Sequence, residues 1–301
     1  MKLLVTGGTV FVSKYISEYF ISQGHRVYVL NRNNHPQPQG TTLIKADWHK
    51  LGDTLKAFSF DAVIDVTAYN REDISNILEA LGDFKDYIFI SSSAVYPESL
   101  PQPFGEDMPV GPNRFWGKYG TDKIEAEKEL MGRVPDSYIL RPPYLYGPMN
   151  NIYREAFVFD CANLKRTFYL PREGRMKLQF FHVRDLCRCI ESILKNHPEQ
   201  HIFNVGNSEP VSIKEWVSLC YLVSGTEINY VNVPEKVTQR DYFPFYDYEY
   251  ILNVNSQKQL IEETIPLKEG LAECYEWYQN FSSEVRFKKK DYIQFIDTNL
   301  V

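Results

Sequence analysis

No stretch of this 301-residue chain approaches the ~18 consecutive apolar residues of a membrane-crossing helix, so no segment is expected to span a bilayer. Cysteine is scarce: Cys161, Cys187, Cys189, Cys220 and Cys274 form an odd, scattered set without a CxxC pair. That excludes a disulfide scaffold, and the thiols are expected to be reduced core residues. The histidines show no metal-ligand spacing either, so no metal site is expected. Positive charge is in deficit, 33 Lys and Arg against 39 Asp and Glu, and the net charge of −6 argues against indiscriminate nucleic-acid binding. No secretory leader precedes the first apolar segment, Leu3-Leu4-Val5, so a cytoplasmic location is expected and the Asn280-Phe281-Ser282 glycosylation match carries no weight. A Gly-x-Ser-x-Gly elbow is missing, which leaves a hydrolase of that type unsupported. Gly111…Gly117-Lys118 imitates a phosphate loop but is one residue too long and lacks the following Ser or Thr.

What is present is an ordinary globular composition, 44% hydrophobic and 24% charged, with enough apolar residues for a sizeable core. Tyr and Phe are abundant and are expected to form core and pocket walls. Lys2–Thr6 reads as a strand, Val10–Gln23 as a helix stopped by Gly24, and Arg26–Leu30 as a second strand. Asp61–Val66 and Tyr87–Ser91 repeat the strand pattern, with a helical Asp73–Leu81 between them. This alternation predicts an α/β fold with a doubly wound parallel, Rossmann-like sheet. Asn33–Gly40 and the proline-rich Pro97–Pro112 read as loops. The pattern fades after Pro148. Residues 1–150 are therefore expected to form a dinucleotide-binding domain and 151–301 mainly a smaller substrate domain, with some later segments returning to the first. Lys288–Lys290, with Arg286 beside it, is a short basic run expected on a solvated face or tail.

The candidate chemistry begins where the first strand ends. Thr6-Gly7-Gly8-Thr9-Val10-Phe11-Val12-Ser13 is a glycine turn running into a helix, which can aim backbone N–H groups at a pyrophosphate. The match to G-x-x-G-x-x-G is incomplete: Val10 would crowd a phosphate, whereas Ser13 is small enough for close packing. Gly7, Thr9, Phe11 and Val12 are the expected cofactor contacts. After the second strand stand Asn31-Arg32, with no acid for a ribose hydroxyl, and Arg32 would suit a 2′-phosphate unless it is a plain surface arginine. Asp47-Trp48 offers a carboxylate and a flat ring for an adenine, or a loop Asp and a packing Trp. Tyr119 and Lys123 stand at i, i+4 on a helical stretch running to Met131, where an ammonium beside the phenol would lower its pKa. Ser91-Ser92-Ser93 ends an apolar strand at the expected ligand edge.

Taken in order, these segments resemble the extended short-chain dehydrogenase/reductase superfamily, in its NAD-dependent epimerase/dehydratase branch. The likeness rests on the glycine turn, Ser92-Ser93-Ala94-Val95-Tyr96, Tyr-x-x-x-Lys, Arg141-Pro142-Pro143-Tyr144-Leu145-Tyr146-Gly147-Pro148 and Phe181-His182-Val183-Arg184-Asp185-Leu186. Phe203-Asn204-Val205-Gly206-Asn207 and Pro210-Val211-Ser212-Ile213 extend it to roughly residues 2–280. Gly-Gly-Thr-x-Phe, Phe243-Pro244-Phe245 and Leu267–Leu271 further resemble a subgroup containing chloroplast stem-loop RNA-binding proteins.

The resemblance implies Ser92 as the catalytic serine, Tyr119 as the acid/base, and Lys123 as the nicotinamide-ribose ligand that also lowers the Tyr119 pKa. It places Asp47 at the adenine, Thr67 along the cofactor, Tyr144 at the nicotinamide side, and Asn150, Arg184 and Arg240 at the substrate. Sugar dehydratases carry an acidic pair after the catalytic hydroxyl and some epimerases a cysteine at the second of those places; here Ser93 and Ala94 stand there. That leaves simple hydride transfer, as 4-epimerisation or keto reduction of a nucleotide sugar, with NADP expected ahead of NAD and a homodimer as the assembly. An RNA-binding or sensor protein on the same dinucleotide-binding fold is the competing expectation.

Overall fold

Alternating burial along the first strand organises the molecule. In β1 (Lys2–Thr6), Leu3 and Val5 pack with Ile16 and Phe20 on one face, while Leu4 packs with Ile74 and Ile77 on the other. Both faces are covered, so the strand reads as an unbroken apolar run. The computed structural model describes residues 1–285 and 291–301. The basic run at Arg286 and Lys288–Lys290 lies outside the described residues.

From β1 the chain passes through α1 (Phe11–Ser22), β2 (Arg26–Asn31), β3 (Thr42–Lys45), β4 (Phe60–Asp65), α2 (Arg71–Ala80) and β5 (Phe84–Ile90). The proline-rich loop follows, then α3 (Lys118–Arg133) and β6 (Tyr138–Arg141). The expected strands and helices are all present, with ends moved by a few residues. At the end of α1 the Gly24 and His25 N–H groups donate back to Ile21 and Phe20, which closes the helix where the glycine predicted.

The remainder comprises β7 (Tyr144–Tyr146), α4 (Glu155–Asn163), β8 (Phe168–Pro171), β9 (Lys177–Leu178), β10 (Phe180–His182) and α5 (Val183–Asn196). It continues with β11 (Ile202–Asn204), β12 (Val211–Ser212), α6 (Ile213–Val223), β13 (Tyr230–Val233), α7 (Gln239–Tyr242), α8 (Leu267–Phe281) and α9 (Tyr292–Asn299).

A seven-stranded sheet runs β3-β2-β1-β4-β5-β6-β11 with every neighbouring pair parallel. This is the doubly wound arrangement, with α1 and α5 packed together on one side and α2 and α3 on the other. The strand order reverses between β1 and β4, so their carboxyl ends open the crevice in which such sheets bind ligands. β11 returns from beyond residue 200 to pair with β6. The later residues otherwise form short two-stranded pairs, β7 with β10, β8 with β13 and β9 with β12, around an aromatic core that includes Phe180, Trp216, Phe243 and Phe245. All five cysteines are buried free thiols. Among the described residues no helix is long and apolar enough to cross a membrane.

Candidate active site

The glycine turn folds as it does because two successive residues must take a left-handed backbone. Gly7 and Gly8 have φ of +84° and +83°, and a Cβ on Gly8 would stand 2.4 Å from Val29 Cγ1. Phe11 follows at φ +34°, an uncommon value for a bulky residue, at the first position of α1. Val10, the residue before α1, makes no side-chain cap, so the first-turn N–H groups of α1 have no capping acceptor. An uncapped helix start beside a glycine turn fits a dinucleotide pyrophosphate. Val10, Phe11, Val12 and Ser13 line the cleft in front of it. Thr9 lies in the same turn but lines neither cavity described here.

Two cavities meet at Thr67 and Tyr69. One, of about 320 Å³, is lined by Gly7, Asn31, Arg32, Asp47, Trp48, Thr67 and Tyr69. Among the described residues Trp48 Nε1 and Thr67 Oγ1 are buried there without hydrogen-bond partners, which suits a ligand with polar edges such as an adenosine. The Asp47 carboxylate accepts from the His49 N–H, so that residue also shapes its own turn. Asn31 is less available than expected: its amide nitrogen donates to the Gly7 carbonyl and to Gln37 Oε1, and its oxygen accepts from the Asn33 N–H.

The second cavity, of about 600 Å³, holds Ser92, Tyr119, Lys123 and Tyr144 together. A buried carboxylate outside its lining holds one wall in place. Asp65 accepts from the Thr6 and Tyr87 hydroxyls and from the Thr67 and Ala68 N–H groups, which fixes the loop after β4. The Ala68 carbonyl then accepts from Lys123 Nζ at 2.8 Å, and the Ile90 carbonyl at the end of β5 accepts from it at 2.9 Å. The ammonium also lies over the Tyr69 and Phe89 rings. Tyr119 is carried beside Ser92 because α3 runs unusually close to the Ser93–Val95 turn: a Cβ on Gly120 would come within 2.5 Å of the Ala94 carbonyl oxygen.

One electrostatic expectation needs correcting. The Tyr119 phenol is pushed up from its ordinary pKa, first by desolvation of its hydroxyl, although the residue as a whole is 38% exposed; the Ser92 hydroxyl and the Arg154 charge act downward. Lys123 does not bring the phenol below its ordinary value here, because the ammonium is drawn under Tyr69 by two backbone carbonyls. Burial lowers the Lys123 pKa itself to about 8, against the pull of Asp65, Glu127 and Asp73. The unfolded chain holds this proton up to about 10.5 whereas the folded one releases it near 8, so stability from this group should rise with pH across that window. Urea unfolding of the parent and of Lys123→Met at several pH values checks this. The parent should gain on the variant as pH climbs from about 8, and a constant difference would contradict the assignment.

Beneath the Ser91-Ser92 strand end runs a buried polar network. Arg141 donates to both oxygens of Glu127, at 3.0 and 2.6 Å, and to the Tyr96 hydroxyl at 2.8 Å. Glu127 also accepts from Ser91, and Tyr96 donates to Asn204 on β11. The network joins β5, α3, β6 and β11, and so sets Ser91-Ser92 against α3.

The expected substrate residues are not gathered into the cleft equally. Arg184, at the start of α5, pairs with Glu273 at 2.5 Å and donates to the Tyr15 hydroxyl, and it does not line the cleft. Asn150 is buried and donates to Glu155, lining a small separate cavity. Arg240 lies over the ring of Tyr246, which does line the cleft, and donates to the Phe243 carbonyl and the Tyr292 hydroxyl. The structure adds Tyr69, Trp116, Arg154, Tyr246 and Tyr250 to the walls. These sit singly in loops or at helix starts, and no motif or spacing marks them.

A family model described as NAD dependent epimerase/dehydratase family matches residues 3–206. Chloroplast stem-loop binding protein of 41 kDa b from Arabidopsis thaliana is 29% identical over 300 residues, which takes in 91% of this chain and 78% of that protein. Among solved structures, the UDP-glucose 4-epimerase of Thermotoga maritima with UDP-glucose matches with a TM-score of 0.77 at 18% identity, covering 93% of this chain and 99% of the other. The UDP-glucuronic acid 4-epimerase of Bacillus cereus, in complex with UDP-glucuronic acid and NAD, matches at 0.73 and 18% identity over 93% of this chain and 99% of its own.

Proposed function

Because this chain belongs to the NAD dependent epimerase/dehydratase family, whose model covers residues 3–206, we propose that it is an NAD(P)-dependent enzyme that oxidises or reduces a carbon of a nucleotide-linked sugar. The observation that carries this reading is the convergence of Ser92, Tyr119 and Lys123 in one cleft of about 600 Å³ adjoining an uncapped helix start. A bound nicotinamide would supply the hydride acceptor or donor. Lys123 holds the nicotinamide ribose through the donor it does not spend on Ala68 and Ile90. Ser92 steadies the substrate oxygen by hydrogen bonding, and Tyr119 accepts the hydroxyl proton and returns it in the reverse direction. Ser93 and Ala94 supply no acid or thiol for elimination or carbon deprotonation, which leaves 4-epimerisation or keto reduction. Crystals of the purified protein with its co-purified nucleotide test the reading: a dinucleotide should occupy the two joined cavities. A cleft that takes up no dinucleotide at saturating concentration ends it.

The cofactor preference follows from the exposed Arg32. It lines the smaller cavity and makes no ion pair among the described residues, and β2 ends without an acid. NADP is therefore expected to bind more tightly than NAD, and Arg32→Ala to remove roughly a tenfold preference, the scale of one charge-assisted contact. Calorimetry on parent and variant decides. Parent protein that favours NAD, or a preference that survives the substitution, overturns the assignment.

The likeness to a stem-loop binding protein supports a second reading, in which the same dinucleotide-binding fold serves RNA recognition. The aromatic cleft and the Ser-Tyr-Lys set favour the first.

A further inference from the structure

We propose that Arg154 is an anion-binding residue of the cleft, and that the sugar taken there is a sugar acid whose carboxylate lies beside the carbon at which Tyr119 works. This rests on the reading of the cleft as a sugar-oxidising site.

Among the described residues, Lys123 and Arg154 are the charged side chains lining this cleft, and no carboxylate or imidazole lines it. Lys123 is already committed to two backbone carbonyls. Arg154 is half-buried, and among the described residues its guanidinium has neither an ion pair nor a hydrogen-bond acceptor. It is nonetheless held in place, with its guanidinium carbon 4.8 Å from the Tyr144 ring centroid and 5.8 Å from that of Phe245. A guanidinium restrained against aromatic rings keeps its N–H groups for an acceptor, and a carboxylate can take two of them in parallel. A partly desolvated cation that makes no ion pair among the described residues is complemented by an arriving anion. Glu155, next in sequence, does not fill that place, since its oxygens accept from Asn150 and it lines a different cavity. Arg240 differs, because its donors already reach Phe243 and Tyr292.

The position selects the kind of anion. Arg154 and Tyr119 line the same cleft, with Arg154 set against Tyr144 in its wall, and the Arg154 charge acts on the Tyr119 phenol. A carboxylate on the sugar's exocyclic carbon can reach Arg154 while the adjacent ring hydroxyl reaches Tyr119. A diphosphate on the anomeric carbon is separated from that hydroxyl by the width of the ring. Nor is the cofactor pyrophosphate the natural partner, since the helix start that suits it belongs to the β1–α1 turn, whereas Arg154 is carried on the start of α4 against Tyr144 and Phe245.

The test uses the full chain with NAD present. The Arg154 side-chain nitrogen–proton resonance, assigned by its loss in Arg154→Lys, is followed while D-glucuronate or D-glucose is added. Glucuronate should move it and glucose should not; a resonance unmoved by glucuronate overturns the proposal. In calorimetry, Arg154→Lys and Arg154→Met should weaken UDP-glucuronate about tenfold or more and leave UDP-glucose and NAD within error of the parent. Equal losses for both nucleotide sugars would assign the guanidinium to the diphosphate, and a comparable loss for NAD would assign it to the cofactor; either overturns the proposal. If glucuronate moves the resonance but no nucleotide sugar turns over, the anion site stands and the broader reading of the enzyme falls.

Discussion

Replacing Tyr119 by phenylalanine is expected to lower turnover of a nucleotide-sugar substrate by roughly a hundredfold or more, the usual contribution of a positioned acid–base group. The effect should be large because the cleft offers no substitute. Among the described residues no Asp, Glu or His lines it, and Lys123 is tied to the Ala68 and Ile90 carbonyls. The substitution removes an oxygen without opening a cavity, so unfolding by urea and binding of the dinucleotide should match the parent. Steady-state turnover beside those two controls checks the prediction. A variant that turns over as fast as the parent would remove Tyr119 from the chemistry.

Cutting the buried Arg141–Glu127 pair under the Ser91-Ser92 strand end should damage the fold severely. Arg141→Met leaves Glu127, with its side chain 6% exposed, facing Ser91 without its cation. Removing one partner of such a pair leaves an uncompensated buried charge, which costs about 3–5 kcal/mol. Because the network joins β5, α3, β6 and β11, the loss should also disturb Ser92 and lower activity in whatever protein remains folded. Pairing the change with Glu127→Gln should recover part of the loss, since the stranded charge is then absent. Urea midpoints for the two single variants and the double variant test this. A loss below about 1 kcal/mol for Arg141→Met, as for an exposed pair, would show that the network is not the support described.

Much of the sheet was legible in the sequence because its strands are buried on both faces and its helices carry one apolar stripe. Leu3-Leu4-Val5 and the Ile16/Phe20 spacing needed no tertiary information to be read, and neither did the stop at Gly24. Ser92, Tyr119 and Lys123 were legible through their order along the chain, and the structure brings them into one cleft. Other parts depend on long-range geometry. The charge on Tyr119 was not readable, since i, i+4 spacing says that Lys123 shares a helix face but not that the Ala68 and Ile90 carbonyls draw its ammonium away. Arg184 sits in a motif yet faces Glu273 and Tyr15, contributed by α8 and α1, and no local pattern announces either contact. Arg154 stands in no motif; it acquires meaning only when Tyr144 and Phe245, from distant segments, form the wall on which it lies. That Asn31, a candidate cofactor contact, is held by the Gly7 carbonyl and by Gln37 is not readable locally, because both come from separate loops.

The most direct measurement follows a label. The protein with NAD or NADP is given nucleotide sugars, neutral and acidic, carrying deuterium on the ring carbon that bears the candidate hydroxyl, and products are read by nuclear magnetic resonance. In parallel it is titrated with structured RNA at about 0.15 M salt, where binding built on phosphate contacts weakens steeply as salt is raised. Hydride transfer at a sugar carbon predicts interconverted sugar, or reduced cofactor, with the deuterium following the carbon–hydrogen bond that breaks, and RNA binding no stronger than background. Tight, salt-sensitive RNA binding, with every sugar unchanged and no label transferred, would contradict the account and assign the fold to recognition instead of catalysis.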